Sequence, residues 1–433
     1  MSELIISPPA AVEGEYTPPG DKSISHRLAM LGALGEGTSE YIHFSEAEDC
    51  QKTIEAFSKL GVQYDLQKAV GAGPQLKVKG VGLRGLAKPS GELDLGNSGT
   101  TMRLILGILA GQPFEARLVG DASLSQRPMR RVTVPLRQMG AAISGRDDAN
   151  FAPLEIRGGK LSAIEWENKA ASAQVKSAIL LAGLYADGVT SVCEPLVTRD
   201  HTERLLRLFG ASIECSEHKV AVQKPECLRA ICFDVPGDFS SAAFLIAAAL
   251  LVKGSNLLVS NVGLNPTRLG FYNVLKSMGA AIEIDRVKDQ AEPVGDLRVR
   301  GSRLKGITID RKMTPFLIDE LPVLMVLCAL AEGISTIFGA QELRIKETDR
   351  IRSMASGLRA VGARILERED GCVIEGVPEL LGGRVSSFGD HRTAMSFAVA
   401  GLRSRKGVTI LDSECIGISY PGFEKDLRSV CRM

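Results

Sequence analysis

The sequence repeats one pattern six times, and this constrains the fold more than any other feature. A polar cassette opens an apolar run of helical length, which ends at a Gly or turn before a β-branched strand. The apolar runs begin near residues 28, 104, 178, 244, 323 and 395, so the spacing is roughly 66–79 residues. A second signal interleaves with the first: an amphipathic helix, a Gly and a strand. It reads FSKLGVQYDL at 57–66, LRQMGAAI at 136–143, LRLFGASIE at 206–214, LKSMGAAIEI at 275–284 and LRAVGARILE at 358–367. The Gly suits the left-handed residue that ends a helix.

Each repeat therefore predicts β-α-β-α-β-β. Three copies precede residue 238 and three follow it, which predicts an α/β protein of two similar inverse domains. One domain is expected over 21–238. The other is expected over 1–20 with 239–433, because the sixth repeat is cut short and the strand around Leu4–Ser7 would complete it. The chain would then cross between domains twice, near Pro18–Asp21 and Pro236–Asp238, as a two-strand hinge.

Composition narrows the function. With 52 basic and 51 acidic residues, one Trp and six Tyr, there is neither the basic excess nor the aromatic platform of a nucleic-acid binder. Nine cysteines without a C-x-x-C pair and five scattered histidines predict reduced thiols in the cytoplasm and no metal site. The N-terminus lacks a signal-peptide pattern, and the longest apolar run, Ala242 to Val252, is too short to span a bilayer and reads as a buried helix. Nothing demands more than a monomer.

The cassettes point to small anions. A helix N-terminus carries free N–H groups and a partial positive charge. The cassettes stand just before or within the first turn of the helices, so helix starts sharing a cleft would build an anion site from several segments. K-S-I-S-H-R at 22–27 could be only a Ser cap with solvated cations. It is not a P-loop, because Lys22 follows Asp21 and no upstream Gly has the required spacing. L-G-N-S-G-T at 95–100 resembles a backbone nest, although a plain turn would look similar. R-P-M-R-R-V at 127–132 offers Arg for paired carboxylate or phosphate contacts, or a solvated face. S-A-Q-V-K-S (172–177), T-R-D-H-T-E (198–203) and G-D-H-R-T-A-M (389–395) read as helix starts. In R-I-K-E-T-D-R (344–350), Lys346 and Arg350 are predicted as i,i+4 neighbours on one helical face, with Glu347 adjacent. His26 reads as structural.

Taken in order, K-S-I-S-H-R, G-N-S-G-T, R-P-M-R-R-V, S-A-Q, T-R-D-H-T-E, D-E-L-P, R-I-K-E-T-D-R and D-H-R resemble the 5-enolpyruvylshikimate-3-phosphate (EPSP) synthase family over essentially the whole chain. The S-A-Q and T-R-D-H-T-E forms resemble its bacterial class II branch. The resemblance implies two domains of three repeats that close over shikimate 3-phosphate and phosphoenolpyruvate, with no metal or organic cofactor. It implies that Ser23, Arg27, Ser172, Ala173 (through its backbone), Gln174 and Arg199 bind shikimate 3-phosphate. Lys22, Arg127, Arg350 and Arg392 would serve phosphoenolpyruvate, with Gly99 shaping its pocket and leaving room for glyphosate, and Lys346 would lie where both substrates meet. Asp319 would take the hydroxyl proton, and Glu347 and Lys22 would protonate the enolpyruvyl methylene.

One position departs from the pattern: Ile418 stands in G-I-S-Y-P where some members carry Lys, and Lys425 is the nearby cation. Two alternatives make different demands on the sequence. A UDP-N-acetylglucosamine enolpyruvyl transferase would carry Asn after the first cassette's Lys and a reactive Cys in its first half; here Ser23 follows Lys22, and no Cys lies between Cys50 and Cys193. A non-catalytic anion-binding module would not need Asp319, Glu347 and Lys22 together.

Overall fold

The computed structural model of the chain describes residues 2–69, 73–169 and 171–432. They form two compact units, Met1–Pro19 with Pro236–Met433, and Gly20–Val235.

In the Gly20–Val235 unit, three sheets share one topology. In the first, Gly35–Ile42 pairs in parallel with Cys232–Asp234 and antiparallel with Gly73–Val81, which continues to Gln63–Ala69. In the second, Leu93–Asp94 runs parallel to Glu115–Val119, followed antiparallel by Phe151–Arg157 and Ala142–Gly145. The third sets Glu165–Glu167 parallel to Val189–Cys193, then Lys219–Gln223 and Ile213–Cys215 antiparallel.

The other unit repeats this order. Ala11–Tyr16 runs parallel to Asn256–Gly263, with Val294–Arg300 and Ala281–Lys288 antiparallel beyond. Thr308–Ile309 runs parallel to Ile334–Ile337, followed by Gly371–Glu375 and Arg364–Arg368. In the last sheet Gly383–Ser386 runs parallel to Val408–Leu411, whose antiparallel neighbour is Glu3–Ile6 from the start of the chain.

Two kinds of helix serve these sheets, for the reason the two hydrophobic patterns imply. Helices apolar all round must be surrounded by protein. Phe239–Leu251, Leu321–Ala329 and His391–Gly401 are buried at every position. Lys22–Leu34, Gly99–Ala110 and Ala173–Gly183 are buried over all but their first residues and Thr100. Close approach needs small residues: a Cβ on Gly107 would lie 2.2 Å from the Ala178 carbonyl oxygen of the facing helix. The amphipathic helices, such as Glu48–Lys59 and His201–Leu208, bury one face only. The Gly after five of them has a positive φ between 86° and 115°, at Gly61, Gly140, Gly210, Gly279 and Gly362, where a side chain would be strained. No helix among the described residues is long and apolar enough to cross a membrane.

Candidate active site

In the Gly20–Val235 unit three cassettes become the starts of the buried helices Lys22–Leu34, Gly99–Ala110 and Ala173–Gly183, while R-P-M-R-R-V and T-R-D-H-T-E lead into helices that bury one face. Asp21 caps Lys22–Leu34, its carboxylate accepting from Ile24 N at 2.9 Å, and Ser98 caps Gly99–Ala110. Lys22 pairs with Asp49 at 2.7 Å from the neighbouring amphipathic helix. Ser23 is half-buried, and its carbonyl accepts from Arg27 at 2.8 Å. Arg27 is buried. It donates to Thr202 Oγ1 at 2.6 Å and Ser177 Oγ at 2.8 Å, so its guanidinium joins three helices. His26 bonds Thr53 Oγ1 at 2.7 Å; burial, then Lys22 and Arg27, push its pKa well down, which keeps the ring neutral.

Gln174 donates to Thr100 Oγ1 at 3.0 Å and accepts from Arg103 Nη1 at 2.7 Å, which ties the Ala173–Gly183 start to the Gly99–Ala110 start. Arg127 precedes its helix, Arg130–Gln138, and bonds the Asn97 carbonyl at 3.2 Å, Asn97 Oδ1 at 2.5 Å and Ser123 Oγ at 3.2 Å. Gly99 lies under both guanidiniums: a Cβ there would meet Arg103 Nη1 at 2.9 Å and Arg127 Nη1 at 3.3 Å. Ser172 is the residue before Ala173–Gly183, and Arg199 stands half-buried two residues before His201–Leu208.

In the other unit the charges converge on Arg350, whose side chain is 2% exposed. Its Nε donates to Asp390 Oδ2 at 2.7 Å, its Nη2 to Glu347 Oε2 at 2.5 Å, and its Nη1 lies 3.8 Å from Asp319 Oδ1. Burial alone would depress its pKa, but Asp390, Glu347 and Asp319 outweigh it and hold the guanidinium charged. Arg392 reaches the same carboxylate, with Nε 3.9 Å from Asp319 Oδ1 and Nη1 donating to the Asp319 carbonyl at 2.8 Å. Desolvation pulls the Lys346 ammonium below its ordinary range; Asp319 opposes this and Arg350 reinforces it.

One local expectation is corrected. Lys346 and Arg350 do not share a helix. Asp349 accepts from Arg352 N at 3.0 Å and starts the helix at Arg350, while Lys346 ends the 3-10 turn Gln341–Ile345. The cap replaces the helical turn that the i,i+4 spacing suggested. Ile418 packs against the core of its unit, and Lys425 is exposed on Phe423–Val430. Sequence reasoning missed the carboxylates that hold the cations, Asp49 and Asp390, and a buried cluster of Lys176, Glu194 and Glu203. Asp390 lies within G-D-H-R-T-A-M; Glu194 lies in none of the motifs.

The fold is that of a two-domain enolpyruvyl transferase. The crystal structure of the enolpyruvyl transferase NikO from Streptomyces tendae superposes with a TM-score of 0.78 over 99% of this chain and 96% of its own, at 16% identity. The family model for EPSP synthase (3-phosphoshikimate 1-carboxyvinyltransferase) matches residues 6–427, and the chain belongs to that family. A 3-phosphoshikimate 1-carboxyvinyltransferase of Pelotomaculum thermopropionicum is 50% identical over 432 residues, 99% of each chain. EPSP synthase from Acinetobacter baumannii aligns with a TM-score of 0.87 and 42% identity over 99% of this chain and 98% of its own.

Proposed function

We propose that this chain transfers the enolpyruvyl group of phosphoenolpyruvate to the 5-hydroxyl of shikimate 3-phosphate and releases inorganic phosphate. The hydroxyl oxygen attacks C2 of phosphoenolpyruvate while C3 gains a proton to become a methyl. The tetrahedral adduct then expels phosphate as the methyl gives that proton back, leaving the enol ether. Asp319 takes the hydroxyl proton, and Glu347 with Lys22 delivers and removes the proton at C3.

The observation that carries this reading is that Asp319 and Glu347 both face Arg350, so one buried guanidinium fixes two carboxylates for opposite proton transfers. Ser23, Arg27, Ser172, the Ala173 backbone, Gln174 and Arg199 hold shikimate 3-phosphate. Lys22, Arg127, Arg350 and Arg392 take phosphoenolpyruvate beside Gly99, and Lys346 contacts both. Two polyanions brought together repel each other, and these cations offset that repulsion. Nine cysteines without a C-x-x-C pair support a cytoplasmic protein whose thiols stay reduced.

Phosphate release from shikimate 3-phosphate plus phosphoenolpyruvate tests the reading, and release only with UDP-N-acetylglucosamine as acceptor would refute it. Asp319→Ala and Glu347→Ala are expected to lower kcat by about 10²–10⁴ with KM little changed. Unaltered kcat in both would remove the acid–base roles.

A further inference from the structure

Two motif residues of the Gly20–Val235 unit have no part in this chemistry, Lys176 of S-A-Q-V-K-S and Glu203 of T-R-D-H-T-E. Both are buried, with 1% and 2% of their surface exposed, and between them the chain places a second acid, Glu194, at 4%. Lys176 Nζ lies 2.8 Å from Glu194 Oε2 and 2.7 Å from Glu203 Oε1. Burial alone would depress the Lys176 pKa, but Glu203 and Glu194 outweigh it and keep it a cation.

The two acids then differ. Glu194, just past the strand Val189–Cys193, accepts four hydrogen bonds. Its Oε1 takes Asn168 Nδ2 at 2.9 Å and Thr198 Oγ1 at 2.7 Å; its Oε2 takes Lys176 Nζ at 2.8 Å and Thr198 N at 3.2 Å. Asn168 Nδ2 also donates to the Ser172 carbonyl at 3.0 Å, and Lys176 Nζ to the Thr198 carbonyl at 3.3 Å. Glu203 bonds Lys176 and hydrogen-bonds neither Asn168 nor Thr198.

Ser172 opens the helix that carries Ala173 and Gln174, and Thr198 is the residue before Arg199. One carboxylate thus fixes two segments that are remote in sequence. We propose that Glu194 is a positioning residue for shikimate 3-phosphate, setting the spacing between the Ser172–Gln174 helix start and Arg199. This rests on the substrate reading above. Charge-assisted bonds in a buried site are short and hard to deform, so the spacing is set before the ligand arrives. A misplacement of about 1 Å can cost on the order of 10²-fold in such a site.

The control is built into the cluster, since Glu203 shares the same Lys176 without bonding Asn168 or Thr198, the two arms that Glu194 holds. Glu194→Gln places an amide among donors and is expected to raise KM for shikimate 3-phosphate by about 10–100-fold, leaving kcat and KM for phosphoenolpyruvate within about threefold. Glu203→Gln is expected to lower thermal stability but leave that KM within about twofold. Asn168→Ala and Thr198→Val cut single arms and are each expected to raise the same KM several-fold; they carry the test if Glu194→Gln does not fold. An unchanged KM in Glu194→Gln, or in both single-arm variants, overturns the proposal, as does an equal rise in Glu203→Gln. A wild-type chain that releases no phosphate from the two substrates overturns the substrate reading itself, and the positioning role with it.

Discussion

Asp390 combines two tasks whose costs can be separated. Fully buried, it caps His391–Gly401 by accepting from Arg392 N at 2.8 Å and Thr393 N at 3.1 Å, and it holds Arg350 Nε at 2.7 Å. Removing one partner of a buried ion pair costs about 3–5 kcal/mol. Here Arg350 keeps Glu347 at 2.5 Å and Asp319 at 3.8 Å, so the lower end, about 3 kcal/mol, applies. Losing the cap adds about 1 kcal/mol. Asp390→Ala is therefore expected to cost about 4 kcal/mol and Asp390→Asn, which keeps a cap acceptor, about 3 kcal/mol. In a unit of this size each kcal/mol moves Tm by about 2–4 °C, so the Ala variant should melt about 8–16 °C lower by scanning calorimetry. Both variants should also lose kcat, because the guanidinium that holds Asp319 and Glu347 is released on one side. A Tm fall under about 2 °C for Asp390→Ala would refute the reasoning, since Arg350 would then not depend on this carboxylate.

Lys346 is held below its ordinary pKa of 10.5, chiefly by desolvation, so it loses its charge earlier than a free lysine as pH rises. Anion binding is present below that depressed value and is lost as pH rises through it, giving kcat/KM of the free enzyme an alkaline limb. Lys346→Arg stays charged and should move the limb upward; superimposable profiles would refute the assignment. Gly99→Ala brings a methyl to within 2.9 Å of Arg103 Nη1 and 3.3 Å of Arg127 Nη1. These flexible ends can yield, so Tm should hardly change, while KM for phosphoenolpyruvate rises several-fold and competitive inhibition by glyphosate weakens further. Unchanged inhibition would mean that Gly99 does not face that pocket.

The repeated β-α-β-α-β-β pattern was readable because two periodicities and a glycine recur together, and the glycines at 61, 140, 210, 279 and 362 all take positive φ. The buried helix around Ala242 was readable from its unbroken apolar run. What stayed hidden was pairing at long sequence range. Nothing near Asp49 reveals that it holds Lys22, 27 residues earlier, and Glu194 follows a strand without any motif. Segment 344–350 departs from the helix that its i,i+4 spacing suggests, because Thr348-Asp349 carries the signal of a cap.

The strand Glu3–Ile6 and its neighbour Ala11–Tyr16 also bear on how the chain is made. Leu4, Ile6, Val12 and Tyr16 are core residues, yet Tyr16 pairs with Val259 and Leu4 with Ile410. During synthesis at about 5–20 residues per second, the first of these partners emerges about 12–49 s after Tyr16. Gly20–Val235 is contiguous and can collapse in the meantime. The leading segment must wait as an unpaired apolar strand on the nascent chain, exposed to aggregation and open to chaperones until its partners leave the ribosome.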